Sequence, residues 1–251
     1  MKIVFPALPY QPVLDPMWET EFKEAKRRGY AVALYDSESQ KLHGAKDEPG
    51  KWLYRGWMLS PAEYGELAER LDLLVSLNMY LSSHLTSKWY PVVAEETMRS
   101  EMKAVPLSLD FTQGQKYFVK GAFKSFGNES YVTSEEDLKH LYRTHSLLLG
   151  DFLFVRDFVE LVPNSERRYF VTNIVNSVDC HGEPLPPEIA RLLHSLAPRK
   201  FYSIDVALTP TLHGNRPIIV EIGDGQVSDI KEWGTYAFYN LVIQHLNQAP
   251  Y

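Results

Sequence analysis

The stretches FYSIDVALT (residues 201–209) and RPIIVEIGDG (216–225) decide how this chain folds. Each alternates apolar and polar residues, the period of a half-buried strand. The polar segment Thr211 to Asn215 between them reads as a turn, so the two form an antiparallel hairpin. Tyr202, Ile204, Val206 and Leu208 fall in parity with Ile218, Val220 and Ile222, while Ser203, Asp205, Ile219 and Glu221 fall on the opposite face. A slip of one residue exchanges the faces, so only an even register keeps the apolar sets together. With the turn centred on His213, Asp205 lies directly opposite Glu221, at the roughly 4.5–5.5 Å between Cβ atoms typical of such pairs. Like charges so placed destabilise a sheet. A hard divalent cation relieves the repulsion, and Mg²⁺ is commonly held by one or two carboxylates together with phosphate oxygens. The hairpin therefore points to a metal–nucleotide site.

Composition narrows the class. A chain of 251 residues can build a sizeable core, as one elaborate domain or as two to three small lobes. Hydrophobic content of 45% with 23% charged residues excludes disorder, and no apolar run reaches the roughly 18 residues of a membrane span. A formal charge of −6 argues against broad coating of nucleic acid, although a local basic cleft stays open. Cys180 is alone and cannot pair within the chain, and MKIVF is followed by Pro6 and Pro9, not by a long apolar stretch. These features predict a cytoplasmic protein with neither membrane nor nucleic acid as partner.

Along the chain, Lys2 to Phe5, a helix over Asp15 to Arg28 stopped by Gly29, and a strand Tyr30 to Tyr35 read as a βαβ opening. Gln40 to Lys51 is polar and turn-rich, and Trp52 to Met58 resumes as strand. Ser60-Pro61-Ala62-Glu63 opens a helix to about Leu73 with a capping box. Val75 to Met79 reads as a further strand and Glu95 to Lys103 as helical, with a lobe boundary near 95–105. Beyond it come a strand Lys116 to Lys120, a glycine-bearing loop Gly121 to Glu129, and a helix capped by Ser134 that ends near Gly150. An apolar stretch Phe152 to Val162, a strand Arg168 to Val175, a helix Pro187 to Leu196, the hairpin, and a terminal helix Trp233 to Leu246 follow. Alternating strands and helices indicate α/β or α+β lobes.

Four segments could carry chemistry. QKYFVKGAFKSFGNES (115–130) sets Lys120 at a strand end and Lys124 in a loop between Gly121 and Gly127, where ammonium groups could meet a polyphosphate; two solvated lysines beside a turn are the plainer reading. FLFVRDFVEL (152–161) embeds Arg156, Asp157 and Glu160 in an apolar run, where charge is expensive without partners. In ERRYFVTN (166–173) alternation puts Arg168 with Phe170 and Arg167 with Tyr169, and an exposed edge strand with ion pairs is the alternative. In EIGDGQVSD (221–229) Asp224 is either a turn residue or a further metal ligand. The eight histidines show no ligand spacing, and Cys180 has no catalytic context.

Taken in order, VKG with its second lysine, FVRDFVEL, ERRYFV, YSIDVAL and VEIGDGQ resemble the ATP-grasp superfamily, and more narrowly its branch named for one arginine and two lysines. WLYRGWMLSPAEY and SKWYP are similar to that branch's N-terminal region. The resemblance implies an α/β N-terminal lobe over 1–100 and an α+β ATP-grasp domain over 101–251, whose two subdomains (101–160 and 161–251) clamp ATP. It implies phosphate contacts by Lys120 and Lys124, adenine against Arg156, Asp157, Phe158 and Val159, and Glu160 or Glu166 on adenine or ribose. Arg168 would hold a transferred phosphoryl group or an acyl phosphate, and Asp205 and Glu221 would hold Mg²⁺. The superfamily pattern Glu-x-Asn has Gly223 at its asparagine here, which shifts a second metal contact to Asp224 or to water, or removes it. The implied reaction is ATP-dependent carboxylate–amine ligation on a small molecule, peptide or protein end. A small-molecule kinase and a nucleotide-binding module without turnover are the alternatives.

Overall fold

The computed structural model describes residues 1–44, 49–173 and 176–248. Strand β1 (Lys2–Pro6) leads through a short 3₁₀ turn (Pro16–Trp18), capped by the Asp15 carboxylate, into α1 (Glu19–Arg27) and β2 (Val32–Asp36). β1 and β2 are parallel, as a βαβ unit requires. β3 (Lys41–His43) lies inside the stretch expected to be all turn, of which 45–48 fall outside the described residues. With β4 (Trp52–Tyr54) the first sheet has the order β3-β2-β1-β4.

The capping box forms: Ser60 Oγ accepts from the Glu63 amide, Glu63 Oε2 accepts from the Ser60 amide, and α2 (Pro61–Arg70) follows. The strand expected at Val75 to Met79 is instead the start of α3 (Leu77–His84). Ser76 caps that helix by accepting from the Met79 amide, and a short apolar run does not by itself separate helix from strand. α4 (Thr86–Val93) comes next, and the helix expected around Glu95 to Lys103 is a 3₁₀ turn (Ala94–Glu96) followed by β5 (Ser100–Ala104).

The second sheet is antiparallel and adds β6 (Tyr117–Lys120), β7 (Tyr131–Val132), α5 (Glu135–Thr144) and β8 (Phe152–Asp157), in the strand order β5-β8-β6-β7. Pairing with β8 overrides the helical preference of Glu101, Met102 and Lys103 in β5. The third sheet is built from β9 (Arg167–Asn173), β10 (Asn176–Val178), β11 (Tyr202–Thr211) and β12 (Gly214–Asp224), in the order β10-β9-β11-β12. Residues 174 and 175 of the expected strand lie outside the described residues. The helix expected over Pro187 to Leu196 is two short ones, α6 (Pro187–Ala190) and α7 (Leu193–Leu196). The last described elements are α8 (Thr235–Phe238), a π-helical turn (Tyr239–Ile243) and α9 (Gln244–Gln248).

Three cores result. The first joins β1 and β4 to the end of the chain, with Phe238, Tyr239, Val242 and Ile243 completely buried against it. Trp89 and Val93 of α4 pack under the third sheet with Ile204, Val206 and Ile222, so α4 precedes the expected boundary yet serves a sheet beyond it. The third core lies between the second sheet and α5. Among the described residues no helix is long and apolar enough to cross a membrane.

The hairpin pairs Asp205 with Glu221, but by a different route from simple alternation. The turn is tighter, with Thr211 opposite Gly214, which alone would displace the register by one residue. A bulge restores it: Val206 faces Ile219, leaving Val220 as the extra residue. Ile219 therefore joins the apolar face and is completely buried, a correction to the parity read from the sequence.

Candidate active site

One face of the third sheet carries charge while the other carries the second core. Registers align Arg168 of β9 with Asp205 of β11, and Asp205 with Glu221 of β12, giving a charged row across adjacent strands. Arg168 grips Asp205 with a fork, Nε donating to Oδ1 at 2.8 Å and Nη2 to Oδ2 at 2.7 Å, and its Nη1 donates to Asp229 Oδ1 at 2.8 Å. Burial disfavours the Arg168 charge, but the hydrogen bonds and field of Asp205, with Asp229 and Glu221, more than offset it and hold its pKa above the ordinary value. Lys231 Nζ lies 3.2 Å from Asp205 Oδ2 and 2.6 Å from Glu166 Oε1.

The second sheet supplies opposing cations. Lys120 at the end of β6 is 2% exposed and donates to Glu221 across the gap between the sheets. The Gly121 amide then donates to the Lys124 carbonyl at 2.9 Å, closing a tight turn that brings Lys124 to the same place. A cleft of about 250 Å³ lies there, and Lys124, Arg168, Asp205, Glu221 and Asp224 all line it.

Asp224 is fully buried. Its Oδ1 accepts from the Gln226 amide and from Gln226 Nε2, both at 3.0 Å, while Oδ2 has no partner among the described residues; burial pushes its carboxyl up to about 7. A Cβ on Gly223 would lie 3.0 Å from Ser203 Oγ and 3.1 Å from Ser228 Oγ, two hydroxyls 2.8 Å apart. The serine pair fills the space that an asparagine side chain would enter.

The oxygens suit magnesium only together with a second source of ligands. No group of three or more His, Cys, Asp or Glu side chains is poised for a metal among the described residues. The Asp205–Glu221 pair nevertheless offers hard oxygens. A carboxylate has about four lone-pair positions; Arg168 and Lys231 draw on those of Asp205, and Lys120 on one of Glu221. The positions left over fit an ion completed by phosphate oxygens, not a protein cage.

The segment expected at the adenine does not line this cleft. Arg156 is 3% exposed and committed to protein, donating to Ser100 Oγ, Thr97 Oγ1 and the Val220 carbonyl. Asp157 ends β8 beside Tyr117, and Phe158 is partly exposed against Tyr131 and Lys116. Val159 is half-buried, while Glu160 and Glu166 are exposed. Met58, His84, Phe123, Ser203, Ser228 and Asp229 line the cleft without having been singled out from the sequence. Ser203 was within reach of the alternation rule, two positions before Asp205 on one face. His84 ends a helix far from the hairpin in the chain, and no spacing links the two.

No family model matches the chain, and no curated protein does. Solved structures do. The chain is similar to a RimK domain ATP-grasp protein from Sphaerobacter thermophilus, at TM-score 0.63 and 12% identity over 99% of this chain and 100% of that one. It is similar to the D-cycloserine synthetase DcsG, at TM-score 0.61 and 11% identity over 97% and 99%. A third likeness is to N5-carboxyaminoimidazole synthase from Aspergillus clavatus, solved with ADP and 5-aminoimidazole ribonucleotide, at TM-score 0.60 and 9% identity over 100% and 78%. The fold is therefore ATP-grasp: an α/β lobe followed by two sheets with the cleft between them.

Proposed function

We propose that this ATP-grasp chain is an ATP-dependent ligase that activates a carboxylate as an acyl phosphate and passes the acyl group to an amine. One observation carries the reading: Lys120 and Lys124 from the second sheet converge on Arg168, Asp205 and Glu221 from the third. The solved neighbours include synthetases and ligases that share this fold.

In this reading Lys120 and Lys124 take up the phosphate oxygens of ATP, and Lys120 exchanges its Glu221 partner for them. Asp205 and Glu221 would hold Mg²⁺, which would neutralise charge on the phosphates. Asp157 to Glu160, with Glu166, flank the adenine and ribose; Arg156 is omitted because its guanidinium is already committed. The substrate carboxylate oxygen bonds to the γ-phosphorus as the bond to the ADP oxygen breaks. Arg168 stabilises the resulting acyl phosphate, and amine nitrogen then bonds to the acyl carbon as inorganic phosphate leaves and a proton is released. The protein's contribution is positioning and countercharge.

A second reading, nucleotide binding without turnover, draws on Gly223 and the serine pair that fills the space beside it. Thermal shift with ATP and Mg²⁺ separates both from a plain surface role. A ligand at a hundredfold excess over Kd stabilises by about 2.7 kcal/mol, and the shift is expected to collapse in Asp205→Asn with Glu221→Gln. ADP release dependent on a carboxylate and an amine marks the ligase; a phosphorylated acceptor marks a kinase; binding without ADP marks the second reading.

A further inference from the structure

One wall of the cleft carries two buried polar groups, each with an atom that has no hydrogen-bond partner among the described residues. His84, the last residue of α3, lines the cleft and is 6% exposed. Its ring is held by other rings: Tyr64 stacks on Tyr80 at 4.1 Å, Tyr80 on His84 at 5.2 Å, and Phe123 of the lysine loop stands 5.4 Å from the imidazole. Among the described residues nothing bonds its Nε2. Asp224 lies by the same stack, since its partner Gln226 also donates to the Tyr64 hydroxyl at 2.9 Å, and its Oδ2 is likewise without a partner among the described residues. An unpaired buried polar atom costs about 1–3 kcal/mol, and a ligand that bonds to these two would recover that cost.

The chemistry of that wall selects the ligand. Burial pushes the His84 imidazole down to about 4, so it is neutral at physiological pH, and in the tautomer protonated at Nδ1 the unpartnered Nε2 is its accepting nitrogen. The carbonyl end of α3 adds a preference for positive charge. Lys120 and Lys124 act on the imidazole too, their charge adding to the burial that keeps it neutral, while the Glu221 carboxylate opposes them. Met58, Phe123 and Val227 give the cleft an apolar lip.

We infer that the wall formed by His84 and Asp224 is the subsite for the nucleophile, and that it takes a small primary amine whose N–H groups satisfy His84. This rests on the ligase reading above and adds where the amine sits and which residue selects it.

The test uses the full chain with isotope-labelled histidine, saturated with ADP and Mg²⁺, and methylammonium chloride as the probe. Methylammonium should move the His84 side-chain nitrogen resonance in a saturable way, while sodium chloride or sodium acetate at equal ionic strength should not. His84→Phe keeps a ring in the stack; it should leave ADP affinity unchanged and weaken methylammonium, read from saturation transfer to its methyl protons, about fivefold, the loss of one hydrogen bond. No saturable response at His84, or equal methylammonium affinity in a folded His84→Phe, overturns the subsite while leaving the ligase reading intact. Failure of ADP to bind the wild-type chain removes both. Should His84→Phe not fold, the wild-type resonance decides alone.

Discussion

Arg156 Nη1 donates to the carbonyl of Val220 at 2.7 Å, and Val220 is the residue that β12 inserts as its bulge. The bulge matters because the tight Thr211–Gly214 turn, continued without it, would set Asp205 against Val220 and turn Glu221 toward the apolar core. A bulge leaves a carbonyl outside the strand ladder. Arg156 satisfies it from the second sheet, and Thr97, which accepts from Arg156 Nη2 at 2.9 Å, donates to the neighbouring Ile219 carbonyl at 2.7 Å. The charged face of the hairpin is thus held in register by a residue of the opposite sheet.

Arg156→Met should therefore destabilise the fold by about 2–3 kcal/mol in urea unfolding, the cost of losing charged hydrogen bonds and stranding their buried acceptors. It should weaken ATP with Mg²⁺ more than it weakens AMP, because the damage falls on the carboxylate register. If Arg156 instead contacted adenine, AMP and ATP would weaken alike with stability little changed.

Lys120→Met removes the partner of Glu221, whose side chain is 41% exposed and can hydrate. Stability should change by about 1 kcal/mol or less, as for other solvent-reachable ion pairs. ATP affinity, measured by calorimetry, should fall about tenfold, equivalent to about 1.4 kcal/mol. Unchanged affinity would return Lys120 to a purely structural pairing.

Gly223→Ala tests the packing of the serine pair. A Cβ at 3.0 and 3.1 Å from two hydroxyl oxygens is too close, and overpacking of this kind costs about 1–3 kcal/mol. Ser203→Ala in the same chain removes one of the two oxygens, so the double variant should be more stable than the sum of the single effects predicts. Strict additivity in thermal unfolding would show that the two positions do not compete for space.

The parts of this site that were legible in the sequence are those set by period and local chemistry. Alternation put Arg168 with Phe170 and Asp205 with Glu221, and the capping box placed α2. What alternation could not show was the compensation inside the hairpin, where a shorter turn and a one-residue bulge cancel, because both depend on Arg156 and Thr97 arriving from elsewhere. β5 was read as helix because its residues favour helix, and its pairing with β8 is a contact some fifty residues away that no local preference records. His84 was unreadable for the same reason. Its meaning comes from Tyr80 beneath it and Phe123 above it, a lysine-loop residue brought near by the Thr86 amide donating to the Ala122 carbonyl at 3.2 Å.

His84 and Asp224 also set opposite pH dependences of stability. Burial raises the Asp224 carboxyl from 3.8 to about 7, so between those values the folded chain holds a proton that the unfolded chain has lost, and stability falls as pH rises through the window. Burial lowers the His84 imidazole from 6.5 to about 4, so between those values the unfolded chain binds the extra proton, and stability rises with pH. The two slopes oppose each other from about 4 to about 6.5. Single variants separate them. Relative to wild type, Asp224→Asn should gain stability on going from pH 5 to pH 8, by about 3 kcal/mol at most, since a tenfold change in proton affinity is worth about 1.4 kcal/mol. His84→Phe should lose its relative disadvantage at high pH in the opposite sense, becoming comparatively more stable as pH falls from 6.5 toward 4. Urea unfolding at a series of pH values gives both differences. Parallel curves for wild type and Asp224→Asn would mean that the Asp224 carboxyl titrates alike in the folded and unfolded chain, and that its bare oxygen is solvated.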